Sequence, residues 1–306
     1  MGTAAHLPVL LQTIITLMQP KPAGRYIDGT LGAGGHSASI LAESSPDGEV
    51  IGFDLDPNAL LLARERLAAY GGRIHFIQAS YLMMQVEAEK LGWSAVDGIL
   101  LDFGVSSMQL DTPERGFSFL YDGPLDMRFG QDATQSAADL VNSLPEEELA
   151  DIIFRYGEER FSRKIARIIV NNRPFKTTRE LADLILKNIG KKERIHPATR
   201  TFQALRIAVN NELDSIEKVI PMAVSLLKPA GRLAIISFHS LEDRLVKEYF
   251  RRESSDCVCP PRQPICTCGH KAIIKELNRK PIEADEIEKQ TNSRARSAKL
   301  RMVEKL

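Results

Sequence analysis

Residues 28 to 36 read Asp28-Gly-Thr-Leu-Gly-Ala-Gly-Gly-His36, directly after the apolar pair Tyr26-Ile27. An acidic residue, Asp54, closes the next apolar run. Glycines at a strand-to-helix turn let the backbone approach a ligand closely, and a carboxylate at the tip of the following strand can accept both hydroxyls of a ribose. The pair points to a bound nucleoside. A dinucleotide fingerprint needs glycine at i, i+2 and i+5; counted from Gly32 and Gly34, the third position is Ser37, so that spacing fails. A triphosphate-binding loop fails as well, because Gly35 stands where its lysine belongs. The plainer alternative is a structural turn in an α/β domain.

The pattern around this turn is one of alternating strands and helices. Strands are expected at Gly24 to Asp28, Glu49 to Asp54, Arg73 to Ile77 and Val96 to Leu101, with helices from about His36 to Glu43 and Pro57 to Tyr70. Asp56-Pro57 is a helix start, an aspartate cap followed by a proline preset for the first turn. Such a chain builds a parallel, doubly wound sheet whose ligands lie outside the carboxyl ends of the strands, where Asp28, Asp54, Tyr81 and Asp102 fall. With no pyrophosphate to neutralise, the acidic-x-x-x-Gly-x-Gly turn fits a Rossmann-like class I S-adenosylmethionine-dependent methyltransferase. From Pro145 the texture becomes helical, with helices expected over Glu146 to Tyr156, Ser162 to Asn171, Thr178 to Ile189 and Thr199 to Ile220, and polar breaks at Asn172-Arg173-Pro174 and Gly190-Lys191-Lys192. Strand character returns at Gly231 to Ser237. The expected organisation is a discontinuous methyltransferase domain, residues 1–135 and 213–306, around an inserted helical domain at 136–212. The tail Asn292 to Arg301 reads as a final basic strand or a disordered arm.

The chain of 306 residues is long enough for one large or two modest domains. Its 40 Lys and Arg balance 40 Asp and Glu, but unevenly. Residues 1–154 hold 8 basic against 21 acidic, residues 155–206 hold 14 against 5, and residues 207–306 hold 18 against 14, so the middle segment is a basic block of net +9. A phosphate backbone selects for such a block; a solvated helical face is the bland alternative. Arg163, Lys164, Arg167 and Arg200 are its candidate RNA contacts. The apolar stretch Leu7 to Met18 is broken by Pro8 and Gln12 and is too short to span a bilayer, so no membrane association and a cytoplasmic location are expected.

Eight segments then match one family in order: His6-Leu-Pro-Val-Leu-Leu11, Asp28 to His36, Asp97 to Ser107, Glu114 to Phe119, Gly123-Pro-Leu-Asp-Met-Arg128, Tyr156 to Phe161, His196 to Gln203 and Ser237 to Arg244. Together, from about His6 to Arg301, they resemble the 16S small-subunit ribosomal RNA cytosine-N4 methyltransferases. The resemblance implies methyl transfer from S-adenosylmethionine to the exocyclic amine of one cytidine in the decoding region of 16S rRNA, with the small ribosomal subunit as partner; a homodimer stays open. It places cofactor contacts on Gly34, Gly35, His36, Asp54, Tyr81, Asp102 and Gln109.

Many amino-methyltransferases carry an Asp-Pro-Pro-Tyr type turn after the fourth strand. Here the stretch is Asp102-Phe103-Gly104-Val105, with the acid kept and the prolines missing. Asp102 is the first catalytic candidate, as acceptor for the amine, and His239 the second; Asp126, Arg128, His196, Arg200, Glu242, Asp243 and Arg244 are further polar candidates for which structural roles compete. Phe103 suits either a stacked cytosine or the core. Cys257, Cys259, Cys266 and Cys268 form a cluster suited to a structural zinc, though single-residue spacing within each pair is not the common one, and four reduced thiols are the alternative. A non-catalytic RNA-binding module and a DNA amino-methyltransferase are the competing functions; the intact turn argues against the first and the missing prolines against the second.

Overall fold

The computed structural model describes residues 8–130, 133–190, 195–260, 263 and 265–306. His6 and Leu7 of the first motif, Lys191 and Lys192 of the expected break, and Pro261 lie outside them. The chain forms two compact units, one ending at Gly104 and resuming with Asp214–Leu306, the other Val105–Leu213.

The first unit opens with α1 (Leu11–Met18), β1 (Arg25–Asp28), α2 (Gly35–Glu43), β2 (Glu49–Asp54), α3 (Pro57–Leu67), β3 (Ile74–Gln78), α4 (Met84–Lys90) and β4 (Val96–Asp102). As expected, Asp56 caps α3, its side chain accepting from the Asn58 N–H at 3.0 Å with Pro57 in the first turn. The helix stops at Leu67, short of Tyr70, and the chain continues as a 3-10 turn in which Gly71 takes φ 56°. The second unit comprises α5 (Ser107–Asp111), α6 (Ala137–Ser143), α7 (Glu146–Gly157), α8 (Ser162–Asn171), α9 (Thr178–Ile189) and α10 (Thr199–Asn210). The chain then runs through α11 (Glu212–Leu226), β5 (Leu227–Ser237), α12 (Ser240–Glu253), β6 (Ile274–Glu276), α13 (Glu286–Thr291) and β7 (Lys299–Lys305).

Two expectations need correction. The single helix expected over Thr199 to Ile220 is two helices, broken where Asn211 adopts the left-handed region at φ 49°. Asparagine tolerates that conformation better than most side chains, and Asn210-Asn211 was the signal. The helical unit also begins at Val105 rather than 136. Phe117, Leu125 and Met127 are buried in its core beside Ile153, Ile165 and Phe202. Asn210 clamps the same segment, accepting from the Phe129 N–H and donating to the Met127 carbonyl, each at 2.8 Å. The stretch that carries Phe117, Leu125 and Met127 looks like loop by composition, yet these three side chains are buried in the core of the helical unit.

The sheet of the first unit has the order β3-β2-β1-β4-β5-β7-β6. Strands β1 to β5 pair in parallel and β7 runs antiparallel between β5 and β6. This is the Rossmann-like α/β architecture expected from the sequence. In the tail only Lys299–Lys305 is a strand, and Ser293–Arg296 ahead of it forms a 3-10 turn. Ile27, Ile51, Ile99 and Leu100 are fully buried, as expected for parallel strands covered on both faces. Each such side chain contributes about 1.5–3 kcal/mol by leaving water. The strand order reverses between β1 and β4, and the carboxyl ends at that switch point are where such a sheet binds ligands.

Candidate cofactor and active site

The turn after β1 is held from below by Asp28. Its carboxylate is buried, accepting from the Ser37 hydroxyl at 2.7 Å and the Thr30 N–H at 3.2 Å. Burial raises its pKa, and neighbouring His36, Ser37 and Thr30 pull the other way. Gly32 and Gly34 take φ 51° and 77°, the left-handed region open to glycine at no steric cost. Gly34 leads into α2 at Gly35.

Asp54 ends β2 and faces this turn. Its Oδ2 accepts from the Gly32 N–H at 2.9 Å and its Oδ1 from the Asp56 N–H at 2.8 Å. A carboxylate offers about four acceptor positions, so one on each oxygen remains for a vicinal diol. Burial pushes the pKa of Asp54 up to about 6, against the lowering pull of those two N–H groups. Tyr81 follows β3 with its ring 6.1 Å from that of Phe103, presenting an aromatic wall to the same edge. The donor set fits a nucleoside: a diol acceptor, an aromatic face and an open backbone turn.

His36 sits at the turn differently from a ligand contact. Its ring is buried, with Nε2 2.9 Å from the Val9 carbonyl, so the side chain anchors the preceding segment and the backbone of α2 is what faces the turn. Gln109 belongs to the helical unit, where its Oε1 accepts from the Ser106 N–H and closes the capping box of α5.

Asp102 ends β4. Its N–H donates to Thr30 Oγ1 at 2.6 Å, tying the strand end to the glycine turn. Its carboxylate meets the Arg294 guanidinium at 3.4 and 3.5 Å, and Arg294 lies over the Phe238 ring at 4.4 Å. These contacts are long beside the roughly 2.7–2.9 Å of a tight charge-assisted pair, so the carboxylate keeps capacity for another donor. The structure also explains why the prolines are missing. Phe103 donates its N–H to the Ile236 carbonyl at 3.0 Å, which proline could not do, and Gly104 takes φ 85°, which proline cannot adopt. Phe103 is itself buried, a core residue.

His239 caps α12. The Glu242 N–H donates to its Nδ1 at 3.5 Å, and Glu242 Oε2 accepts from the N–H groups of Phe238 and His239 at 2.7 and 3.2 Å. The ring Nε2 stands 3.0 Å from Glu242 Oε1. Capping accounts for the Nδ1 and Oε2 contacts but not for the approach of Nε2 to Oε1. Asp243 is likewise structural, forming a buried fork with Arg301 at 2.6 and 3.2 Å. Arg244 lies exposed on α12.

In the helical unit, α8 buries Ser162, Ile165, Ala166 and Ile169 and turns Arg163, Lys164 and Arg167 outward. Lys164 donates to the Asn188 carbonyl at 2.9 Å and Arg167 meets Glu146 at 3.2 Å. Arg200 and His196 line one concavity with Phe161 and Ile195; Arg200 pairs with buried Glu159 at 3.7 Å and His196 packs on Phe119 at 4.7 Å. Asp126 and Arg128 form a local fork with each other. The four cysteines lie in the loop between α12 and β6.

Residues 3–306 match the model of the MraW methylase family. The chain belongs to that family. It is 52% identical to "Ribosomal RNA small subunit methyltransferase H" of Citrifermentans bemidjiense over 98% of both chains, and 52% identical to the protein of the same name from Geobacter sulfurreducens over 99% of this chain and all of that one. The Heliobacterium mobile protein of that name is 47% identical over 98% of this chain and 99% of its own. Among solved structures, an rRNA methylase from Streptococcus thermophilus is 12% identical with a TM-score of 0.45 over 99% of each chain.

For this methylase the sequence reading missed Arg294 and Thr30, the two partners of Asp102. Thr30 lay inside the quoted turn. Arg294 lay in the basic tail, and only the return of the tail to the sheet, with β7 pairing beside β5, brings it to the end of β4.

Proposed function

We propose that the chain transfers a methyl group from S-adenosylmethionine to the N4 amine of one cytidine in the decoding region of 16S rRNA, with the small ribosomal subunit as its substrate particle. The observation that carries this reading is the acceptor Asp102 at the end of β4, on the same sheet edge as the diol acceptor Asp54 and the glycine turn. The curated relatives' shared name supports the choice of ribosomal RNA. Bound S-adenosylmethionine supplies an electrophilic methyl on a sulfonium.

An exocyclic cytosine amine is a poor nucleophile because its lone pair is delocalised into the ring. Asp102 accepts one N–H of that amine, turning its lone pair out of the ring plane towards the methyl. Asp54 and the turn fix the ribose and methionyl parts, and much of the barrier reduction comes from this positioning. Held by Asp54 and the turn, the cofactor would supply the methyl to the amine, and Asp102 would take up the amine proton along its hydrogen bond and pass it to solvent. The exposed cations of α8 bind RNA phosphates, and Gln109 is a cofactor contact by the family resemblance.

The direct test is methyl transfer from labelled cofactor to small subunits and to naked rRNA, followed by nucleoside analysis. N4-methylcytidine at one position supports the reading; a methyl group on any other base or atom overturns it. Reversing charge at Arg163, Lys164 and Arg167 should weaken subunit binding and flatten its salt dependence while cofactor affinity stays unchanged. Each phosphate that one of these cations neutralises adds roughly 0.7–0.9 to the log-log salt slope. An unaltered slope would mean that this face of α8 is only solvated.

A further inference from the structure

Between Glu253, the last residue of α12, and Ile274, the first of β6, the chain runs without helix or strand among its described residues. Stretches of that length inside a compact unit are uncommon unless something other than a core orders them. Burial does not order this one: Val258 is 44% and Ile265 74% exposed. What its residues do share is sulfur.

The Sγ atoms of Cys257, Cys259, Cys266 and Cys268 all lie within 4.8 Å of one another. Cys257 to Cys266 is 3.4 Å, Cys266 to Cys268 3.6 Å, Cys257 to Cys268 3.8 Å and Cys259 to Cys266 4.0 Å. These separations are far too long for disulfides, whose sulfurs sit about 2.05 Å apart. They bracket the edge of a tetrahedron with zinc at its centre, about 3.8 Å for Zn–S bonds of about 2.3 Å. Two backbone N–H groups also point at sulfur, Val258 to Cys268 at 3.5 Å and Cys259 to Cys257 at 3.4 Å. Such donors stabilise thiolates and orient them, as outer-sphere partners do around bound metals.

We propose that Cys257, Cys259, Cys266 and Cys268 bind one zinc ion. The neighbouring His270 stands outside this four-sulfur group, its Nε2 3.0 Å from the Arg252 carbonyl. Binding forms four Zn–S bonds and releases the thiol protons to solvent. Four protein sulfurs fill the tetrahedron and leave no open position, so the ion is structural. It ties the loop into a knuckle closed at its base, where the Ile273 N–H donates to the Glu253 carbonyl at 2.9 Å. The single-residue spacing within each pair is accommodated because the two Cys-x-Cys arms approach from opposite ends of the loop.

The test uses the full chain, made without a metal-affinity tag and purified anaerobically without chelator. Elemental mass spectrometry should find about one zinc per chain, and the four thiols should resist alkylation until the metal is stripped. Stripping should raise hydrogen exchange in 254–273 and leave β1 to β4 protected. Cys257→Ser and Cys268→Ser should each abolish stoichiometric zinc; if either fails to fold, metal content and alkylation of the unaltered chain still decide. Folded protein with no metal and four readily alkylated thiols would overturn the proposal, as would iron in place of zinc or disulfides by intact mass.

Discussion

Asp54→Ala will cut affinity for S-adenosylhomocysteine by roughly two to four orders of magnitude, because two charge-assisted hydrogen bonds of roughly 1.5–3 kcal/mol each are removed. Titration calorimetry measures this directly. The fold should survive, since Asp54 lies at a strand tip and the strands around it are held by their buried apolar side chains. An unchanged dissociation constant would remove Asp54 from the cofactor site.

The same carboxylate sets a pH dependence. With its pKa raised to about 6, Asp54 in the free protein takes up a proton as pH falls through that value and loses acceptor strength, so cofactor affinity should decline below about pH 6. Stability moves the other way. A carboxyl whose folded pKa exceeds its unfolded value binds its proton more tightly when folded, so its contribution to the stability of the free protein is greatest below about pH 4 and is lost as pH rises through about 6. Affinity and ligand-free melting temperature measured at pH 5 and 7.5 should therefore show opposite contributions from Asp54, and an Asp54→Asn control should abolish both.

Asp102→Asn will slow single-turnover methylation by roughly 10²- to 10³-fold at saturating substrates, in the range that a positioned proton acceptor supplies. Cofactor affinity should change far less, because the bond from the backbone N–H at this position to Thr30 does not depend on the side chain. Rapid-quench measurement with labelled cofactor gives the chemical step separately from binding. A normal rate would exclude Asp102 as the amine's acceptor. Arg294→Met adds a second reading: if the loose 3.4 and 3.5 Å contacts only hold the carboxylate in place, removing them should lower the rate while leaving binding intact.

Much of this site was legible in the chain because its cause is local. Asp28, the glycines and Asp54 are punctuated by the strand-to-helix rhythm, and Asp56-Pro57 announces its own helix start. Ser162–Asn171 and Thr178–Ile189 were read to the residue because an apolar stripe, and for the second a Thr177 capping box, fix both ends. What escaped depends on distant pairing. Arg294 reaches Asp102 only through the placement of β7. The cap that His239 Nδ1 provides to α12 also escaped, because histidine is not among the usual capping residues. Phe117, Leu125 and Met127 sit in a stretch without periodicity, so their place in the helical core could not be seen from sequence alone.

The parallel ladder between β4 and β5 joins strands that end at Asp102 and begin at Leu227. Every residue of the helical unit must therefore emerge during synthesis before the sheet can add its fifth strand. Closing so long a loop from an unstructured chain is entropically opposed, although the cost grows only with the logarithm of its length. If α6 to α10 fold first, the flexible part of that loop is shortened and the closure of β5 onto β4 is eased. Until that closure, β4 presents an unpaired apolar edge to the cell. Destabilising changes in the helical core, far from Asp54 and Asp102 in the chain, should thus appear first as reduced soluble yield rather than as reduced activity per molecule.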